Sequence, residues 1–153
     1  MKSDHRYKYA AEKFPTGDDL SFKKLFDLHA MEVRETKFRL NWYRYRRIEE
    51  ENRLIWIVAR NTGDGTPVGY SGHYWYLSLH FEGDKIAQDD LWFVSPDHRG
   101  NGVGRHLKEI GLSHLGAIGV LETSDFIRNA GTHPALMTQL GYTAHGIWWK
   151  KSL

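Results

Sequence analysis

Residues 94–104 read Val-Ser-Pro-Asp-His-Arg-Gly-Asn-Gly-Val-Gly, and this stretch decides how the rest of the chain is interpreted. An apolar run of strand length precedes it and a helical apolar periodicity follows it, so the glycines lie in a loop between a strand and a helix. Glycine allows positive φ angles and close approach of the backbone to a ligand. The first amides of the helix lack intrahelical acceptors and carry a partial positive charge. The stretch therefore predicts a phosphate or pyrophosphate site.

Two common phosphate motifs do not fit these residues. A Walker A loop needs Lys and then Ser or Thr, whereas Gly104 is followed by Arg105 and His106. The Rossmann fingerprint needs a further glycine at position 105 or 107, and neither position holds one. The preceding strand also belongs to a predicted antiparallel run, which is not typical of a βαβ unit.

Periodicity and turn residues predict the element order β-α-α-β-β-β-α-β-α-β. Strands are predicted at residues 7–14, 54–59, 68–79, 86–94, 118–123 and 142–150, and helices at 19–31, 37–51, 103–116 and 134–140. Pro134 suits the first turn of the last helix, and Gly141 suits its left-handed cap. We expect an α/β (α+β) fold with a mixed, mostly antiparallel sheet flanked by helices, in one domain over residues 1–153.

Composition narrows the function classes. The net charge of +2 is too small to indicate a nucleic-acid partner by itself, and the absence of cysteine excludes disulfides and thiol nucleophiles. No apolar run is long enough to span a bilayer, and the polar N-terminus is not a signal peptide, so a cytoplasmic location is expected. None of the nine histidines pairs with another at the i, i+4 spacing of a helical zinc site, so we expect no metal.

The basic residues gather in an aromatic segment at residues 37–47. Such interleaving is compatible with stacking on nucleic-acid bases and pairing with phosphates. The pattern is more typical of a helix whose basic face is solvated, with Phe38, Trp42, Tyr45 and Ile48 forming its apolar stripe.

Arg99, Gly102 and Gly104 occupy the fixed positions of the pattern Gln/Arg-x-x-Gly-x-Gly/Ala, and Val94 and Pro96 match its usual lead-in. This pattern is motif A of the GCN5-related N-acetyltransferases, the GNAT family. The chain resembles that family in this motif and in its order of elements.

The resemblance implies that acetyl-CoA is the co-substrate. Its pantetheine arm is expected to pair with the strand backbone, and its pyrophosphate to receive loop amides. Arg105 would add a charged contact or simply face solvent, and Asn129 lies one residue out of register with an asparagine that touches the cofactor in relatives. The implied cofactor-binding residues are Phe93, Val94, Arg99, Gly100, Asn101, Gly102, Val103, Gly104, Arg105 and Asn129.

The resemblance also implies direct attack of a primary amine on the thioester, assisted by a general base. In relatives the base lies on the strand before the loop, at the positions of Gln88 and Asp90 here. Since an amide is a poor base, Asp90 is the first candidate and Glu122 the reserve, although Asp90 would equally suit a surface carboxylate near a hairpin. The strand period of two places Asp89 on the opposite face and predicts, barring a bulge, a shared face for Gln88, Asp90, Trp92 and Val94.

The expected proton donor to the leaving thiolate is missing from its usual position. Relatives carry a tyrosine in the last helix where this chain has Met137, which would pack near the cofactor sulfur or in the core. The proton would then come from water, Tyr142 or His133.

These residues predict an N-acetyltransferase that acts on an amine-bearing acceptor, a small molecule or a protein, as a monomer or homodimer. Residues 39–47 of the basic aromatic segment would line the acceptor site and favour an acidic or aromatic neighbourhood in the acceptor, and His73 and His80 could reach the same site. Two alternatives stay open. One is a catalytically weak or inactive binding or virion-associated module that still binds CoA, and the other is a nucleic-acid binder that uses the basic helix.

Overall fold

The computed structural model describes residues 5–33, 40–125 and 134–144. In these residues the strands are β1 (Tyr7–Ala11), β2 (Leu54–Asn61), β3 (Pro67–Leu77), β4 (Lys85–Val94) and β5 (Val120–Asp125). The α-helices are α1 (Leu20–Val33), α2 (Trp42–Glu50), α3 (Val103–Ala117) and α4 (Pro134–Gln139). This order confirms the prediction through the last helix. The predicted final strand does not begin at residues 142–144, and its remainder lies outside the described residues.

The five strands form one sheet in the order β1-β2-β3-β4-β5. The first four are antiparallel neighbours, and β5 pairs with β4 in parallel after the crossover through α3. The fold is therefore the expected mixed, mostly antiparallel sheet flanked by helices.

Helices α1 and α2 cover one side of the sheet and α3 covers the other. Alternation along β2 serves both sides, since Trp56 and Val58 face α1 while Ile57 and Ala59 face α3. We call the first side the aromatic face because its buried cluster is dominated by rings: Phe14, Phe22, Leu25, Phe26, Trp56, Val58, Tyr70, Leu91 and Phe93. The second side is the α3 face, whose apolar cluster comprises Tyr7, Ile57, Ala59, Val68, Val103 and Leu107.

Helix α2 carries the described part of the basic aromatic segment. Asn41 caps it by accepting a hydrogen bond from the Arg44 amide at 3.1 Å. Trp42 and Tyr45 pack on the aromatic face, while Arg47 is exposed and pairs with a carboxylate in the following turn. The described portion of the segment is thus an amphipathic helix with a solvated basic side.

The ends of α4 follow the expected rules. Pro134 opens the helix, and Gly141 has φ of 85° just after it. The amides of Gly141 and Tyr142 donate to the carbonyls of Thr138 and Met137, each at 3.0 Å, which closes the helix with a left-handed residue. None of the described helices is long and apolar enough to cross a membrane.

Candidate cofactor and acceptor site

The glycine loop has the backbone conformation that its sequence predicts. Residues Pro96–His98 form one 3-10 turn after β4, and Gly100 and Gly102 then take φ angles of 76° and 75°. A Cβ atom at Gly100 would meet nothing within 4 Å, so these glycines are needed for their left-handed conformation rather than for lack of space.

The loop leads directly into the first turn of α3. Gly102 is the N-cap, and its carbonyl accepts the His106 amide at 3.0 Å. Val103 is buried and anchors the start of the helix in the α3 face. The amides of the first turn have no acceptor within an α-helix, so the turn presents N–H groups and a positive dipole end to an anion. The backbone fits the pyrophosphate that the family motif implies.

Two polar side chains of the loop hold the backbone in place. Arg99 donates from Nε to the Val94 carbonyl at 2.9 Å, pairs with Glu32 at the end of α1, and lies 5.4 Å from the Phe93 ring centroid. Asn101 Nδ2 donates to the Arg99 carbonyl at 3.4 Å. The Arg99 side chain therefore ties the end of β4 to α1, a role that the motif alone did not indicate.

Gly104 and Arg105 differ in their surroundings. A Cβ at Gly104 would lie 3.1 Å from Trp92 Cζ2, so this glycine makes room for an indole ring. Arg105 is half-exposed and donates to Glu109, one turn later, at 2.7 Å. Whether Arg105 contacts a phosphate stays a prediction.

The second half of β4 offers a backbone edge beside the loop. On one side it pairs with β3, as far as Phe93 with Tyr70 and Val94 with Gly69. On the other side the described pairing with β5 ends at Asp89 and Asp125. In the described part of the chain no strand covers the outer edge of residues 90–94, where an extended arm of a ligand can pair with the backbone. The backbone of Phe93 and Val94 lies at this edge, and its pairing with a cofactor stays a prediction.

A β-bulge at Asp90 breaks the side-chain alternation of β4. Register shifts between the pairs Gly72–Leu91 and His73–Asp89, which leaves Asp90 without an opposite residue. The predicted common face is therefore divided. Gln88 and Asp90 face the side of α2, where they accept hydrogen bonds from Tyr74 and Tyr45. Trp92 and Val94 face α3 instead.

Asp90 is an exposed carboxylate held by one tyrosine. Tyr45 Oη donates to Asp90 Oδ2, and the Tyr45 ring stacks on Phe14 with centroids 4.5 Å apart. Burial, followed by the nearby charge of Asp90, raises the pKa of Tyr45, so this hydroxyl keeps its proton. Asp90 retains acceptor capacity for an incoming amine, as a general base requires.

Glu122 lies apart from Asp90. It is exposed on β5 opposite Ile86, four residues before the position of Asp90 along β4. That offset is about 13 Å along the strands. The structure therefore does not bring the two candidate carboxylates together.

Sequence reasoning missed a buried ionic network on the α3 face, and its centre is Asp89. Lys108 Nζ lies 2.9 Å from Asp89 and 2.7 Å from Asp125, with no exposed surface on the lysine side chain. The other hydrogen-bond partners of the Asp89 carboxylate are His73, Thr123 and Tyr142. We call Asp89, Lys108, Asp125 and these three partners the Asp89 network.

The charge state of Asp89 follows from these contacts. Burial opposes its ionisation, but the hydrogen bond from His73 and the charge of Lys108 outweigh burial and hold the pKa of Asp89 well below its usual range. The sequence gives no signal for this network, because Lys108 lies next to Leu107 of the apolar stripe and a charged residue at such a position is usually exposed. The expectation that Asp89 and Asp90 point in opposite directions is confirmed.

The Asp89 network bears on the residues named as proton donors. Tyr142 directs its hydroxyl at Asp89, and burial together with the charge of Asp89 raises the pKa of Tyr142, which disfavours proton release. His73 is buried in the same network and does not reach the acceptor side. Met137 is buried as well. Asn129 and His133 lie outside the described residues. Within the described residues, no group of three or more His, Asp or Glu side chains could hold a metal ion.

Several solved structures of acetyltransferases have the same fold as this chain. A crystal structure of an aminoglycoside acetyltransferase from an uncultured soil metagenomic sample, in complex with sisomicin, is 15% identical, with 98% of each chain covered and a TM-score of 0.74. Glucosamine-6-phosphate N-acetyltransferase from Arabidopsis thaliana is 12% identical, with 95% of this chain and 97% of that chain covered and a TM-score of 0.70. Ribosomal-protein-alanine N-acetyltransferase from Brucella melitensis biovar Abortus 2308 is 18% identical, with 96% and 98% covered and a TM-score of 0.65.

At these identities the three structures show the fold alone. A search of curated proteins finds no match. The family comparison is more specific, since the Acetyltransferase (GNAT) family matches residues 21–140, well over half of the sequence. The chain therefore belongs to the acetyltransferase (GNAT) family.

Proposed function

We propose that this protein is an N-acetyltransferase that transfers the acetyl group of acetyl-CoA to a primary amine. One observation carries the proposal: the left-handed glycines Gly100 and Gly102 lead into α3 next to the edge of β4 that none of the described strands covers. A pyrophosphate suits the first of these elements and an extended pantetheine arm the second.

The chain's own residues would bind the cofactor through backbone groups. Loop and first-turn amides over residues 99–105 would receive the pyrophosphate, while the backbone of Phe93 and Val94 would pair with the arm. Bound acetyl-CoA supplies an acyl group activated as a thioester. No charged side chain is required in the loop itself, because a helix start already stabilises an anion.

Asp90 is the proposed general base. The acceptor's ammonium must lose a proton before its nitrogen can attack the acetyl carbon and displace the thiol of CoA. The bulge exposes the Asp90 carboxylate toward α2, and Tyr45 fixes the orientation of one carboxylate oxygen. Asp90 would take the proton directly or through one water molecule.

The acceptor would approach from the side of α2, between Tyr45 and Tyr74. Its identity is open to small amines and protein amines, since the structural neighbours include an aminoglycoside acetyltransferase, an amino-sugar phosphate acetyltransferase and a ribosomal-protein-alanine acetyltransferase. We further propose that the chain acts as one domain in the cytoplasm, as a monomer or homodimer.

Calorimetry with acetyl-CoA tests the cofactor site. The unaltered protein should bind, and Gly102→Glu should abolish binding because it places a carboxylate in the anion site and strains a left-handed position. Gly83→Glu is the matched control, since Gly83 also has a positive φ of 84° and open space but lies in the β3–β4 turn. Absence of acetyl-CoA binding in the unaltered protein would end the proposal.

A thiol-release assay over a panel of amines tests turnover. Asp90→Asn should lower kcat by about 100-fold or more while acetyl-CoA affinity is kept. Glu122→Gln should leave kcat within about twofold, given its distance from the bulge. The reverse ranking would transfer the role of base to Glu122.

A second candidate function is a CoA-binding module without turnover. Met137 stands where relatives carry a tyrosine, and the Tyr142 hydroxyl is committed to Asp89. The amine panel separates the two functions, because a binding module would show acetyl-CoA affinity and no thiol release with any amine.

A further inference from the structure

Trp92 links the Asp89 network to the phosphate loop. Its indole Nε1 donates to the carbonyl of Gly104 at 3.2 Å, in the first turn of α3. Lys108 Nζ lies 4.9 Å from the Trp92 ring centroid, and this same ammonium is bound by Asp89 and Asp125. A continuous set of contacts therefore runs from Asp89 and Asp125 to the loop.

The hydrogen bond to Gly104 also sets the direction of a donor. The Gly104 carbonyl and the Arg105 N–H belong to one planar, trans peptide unit, so they point in opposite directions. An indole that fixes the carbonyl oxygen also fixes the Arg105 amide, which is one of the unpaired donors of the first turn. The absence of a side chain at Gly104 lets the ring approach closely enough to do so.

The chain contains a second unit of the same kind away from the loop. Trp75 Nε1 donates to the Asn52 carbonyl at 3.2 Å, and Lys85 Nζ lies 5.0 Å from the Trp75 ring centroid. Its carbonyl belongs to the turn between α2 and β2. The two units share residue types and distances. They differ in the position of the accepting carbonyl, since only Gly104 lies in the first turn of α3.

We infer that Trp92 is a positioning residue for the cofactor, which holds the first turn of α3 in the orientation that binds the pyrophosphate. This inference rests on the proposed function. It adds that affinity for acetyl-CoA depends on an indole N–H located behind the loop. Trp92 acts through the peptide unit between Gly104 and Arg105 and makes no contribution to the chemical step.

The test compares two ligands that differ in the pyrophosphate. Dissociation constants of acetyl-CoA and of S-acetylpantetheine, which lacks the pyrophosphate and the adenosine phosphate attached to it, are measured for the unaltered protein, Trp92→Phe and Trp75→Phe. In Trp92→Phe the preference for acetyl-CoA over S-acetylpantetheine should fall about fivefold, the value of one hydrogen bond. In Trp75→Phe the preference should stay at the unaltered value, although the same kind of hydrogen bond is removed.

A preference that is unchanged in Trp92→Phe, or that falls equally in Trp75→Phe, would overturn the inference while leaving the proposed function intact. Failure of the unaltered protein to bind acetyl-CoA would overturn both. Thermal unfolding of each variant separates this effect from lost stability, because a general loss of folding weakens both ligands together.

Gly104→Ala changes the same contact from the helix side, and it is also measured alone as a second test that does not depend on the folding of Trp92→Phe. Its new Cβ would lie 3.1 Å from Trp92 Cζ2, so the indole must shift by a few tenths of an ångström, although alanine is the better helix former. The preference for acetyl-CoA should fall again. In the double variant the two losses should overlap rather than add, because they act on one contact. Unchanged preference in Gly104→Ala, or additive losses, would contradict the inference.

Discussion

The two faces of the sheet bury their side chains by different means. On the aromatic face, rings pack on one another, as in the stacked pair Trp56 and Tyr70 with centroids 4.8 Å apart. On the α3 face, a buried lysine is bound by the buried Asp89 and the partly buried Asp125. Ring packing depends mainly on buried area and tolerates substitutions of similar volume, whereas a buried ion pair depends on every partner being present.

The two faces also support different parts of the proposed site. The Asp89 network lies on the side of the helix that begins at the phosphate loop, and it joins that helix to β3, β4 and β5. The aromatic face supports α1 and α2, beside the proposed acceptor approach. The hydrogen bonds and ion pairs of the α3 face fix the distances between α3 and the strands. The rings of the aromatic face fill the space between the sheet and helices α1 and α2.

The largest effect is expected from removing the cation of the Asp89 network. Lys108→Met should lower the free energy of unfolding by about 3–5 kcal/mol, because the buried Asp89 and the partly buried Asp125 lose their shared cation. Lys85→Met is the matched control. Lys85 lies over Trp75 and donates to the Ile118 carbonyl at 2.8 Å, but it is only half-buried, so its loss should cost about 1 kcal/mol. Urea unfolding measures both, and similar losses would contradict the comparison.

A pH titration should separate the two faces. Burial outweighs the opposing charge of Glu32 and, with a contribution from Arg99, lowers the pKa of His29 on the aromatic face from its ordinary value of 6.5 to about 4. Between these values the unfolded chain binds a proton that the folded chain does not. The free energy of unfolding should therefore fall as pH decreases from 6.5 to 4, by about 3 kcal/mol.

The contribution of the Asp89 network to stability changes in a lower pH range. Since the pKa of Asp89 is depressed, its stabilisation is present above the unfolded pKa and is lost only as pH falls below about 4. Urea midpoints measured from pH 7 to 3 should show both windows. His29→Gln should remove the upper slope and leave the lower one. An upper slope that persists in His29→Gln would assign it to another group.

A smaller effect is expected from one added methyl group on α3. In Gly111→Ala the new Cβ would lie 2.2 Å from His73 Nε2, inside the Asp89 network, and the strain should cost about 1–3 kcal/mol. Gly116→Ala on the same helix meets nothing within 4 Å and should gain up to about 1 kcal/mol from helix propensity. Both free energies of unfolding are measured by thermal or urea unfolding. Equal changes in the two variants would mean that His73 can move away from the new methyl group at little cost.

Local signals were sufficient to predict most of the fold. The apolar run at residues 54–59 and the glycine turn after it place β2 and β3, and the glycine loop predicts positive φ where the structure has it. These features depend on neighbours in sequence. Helix and strand ends differ by a few residues, because tertiary contacts decide where the last turn or pair forms.

The site was only partly predictable, because its geometry depends on contacts between distant residues. Asp90 was chosen by its offset from the loop, but the bulge that turns it toward Tyr45 arises from register with β3. Lys108 resembles a surface residue in sequence and is buried only because Asp89 and Asp125 meet it from two strands. Periodicity of apolar residues carries no information about a core position that is charged.

The order of strands in space has a consequence for how the molecule assembles. β2, β3 and β4 are consecutive both in the chain and in the sheet, and the connections between them span only residues 62–66 and 78–84. Closing such short loops costs little entropy, and local pairing favours rapid folding. A chain emerging from the ribosome thus has a three-stranded meander within reach once residue 94 is free. β1 and β5 can then add to the two edges of a sheet that already exists.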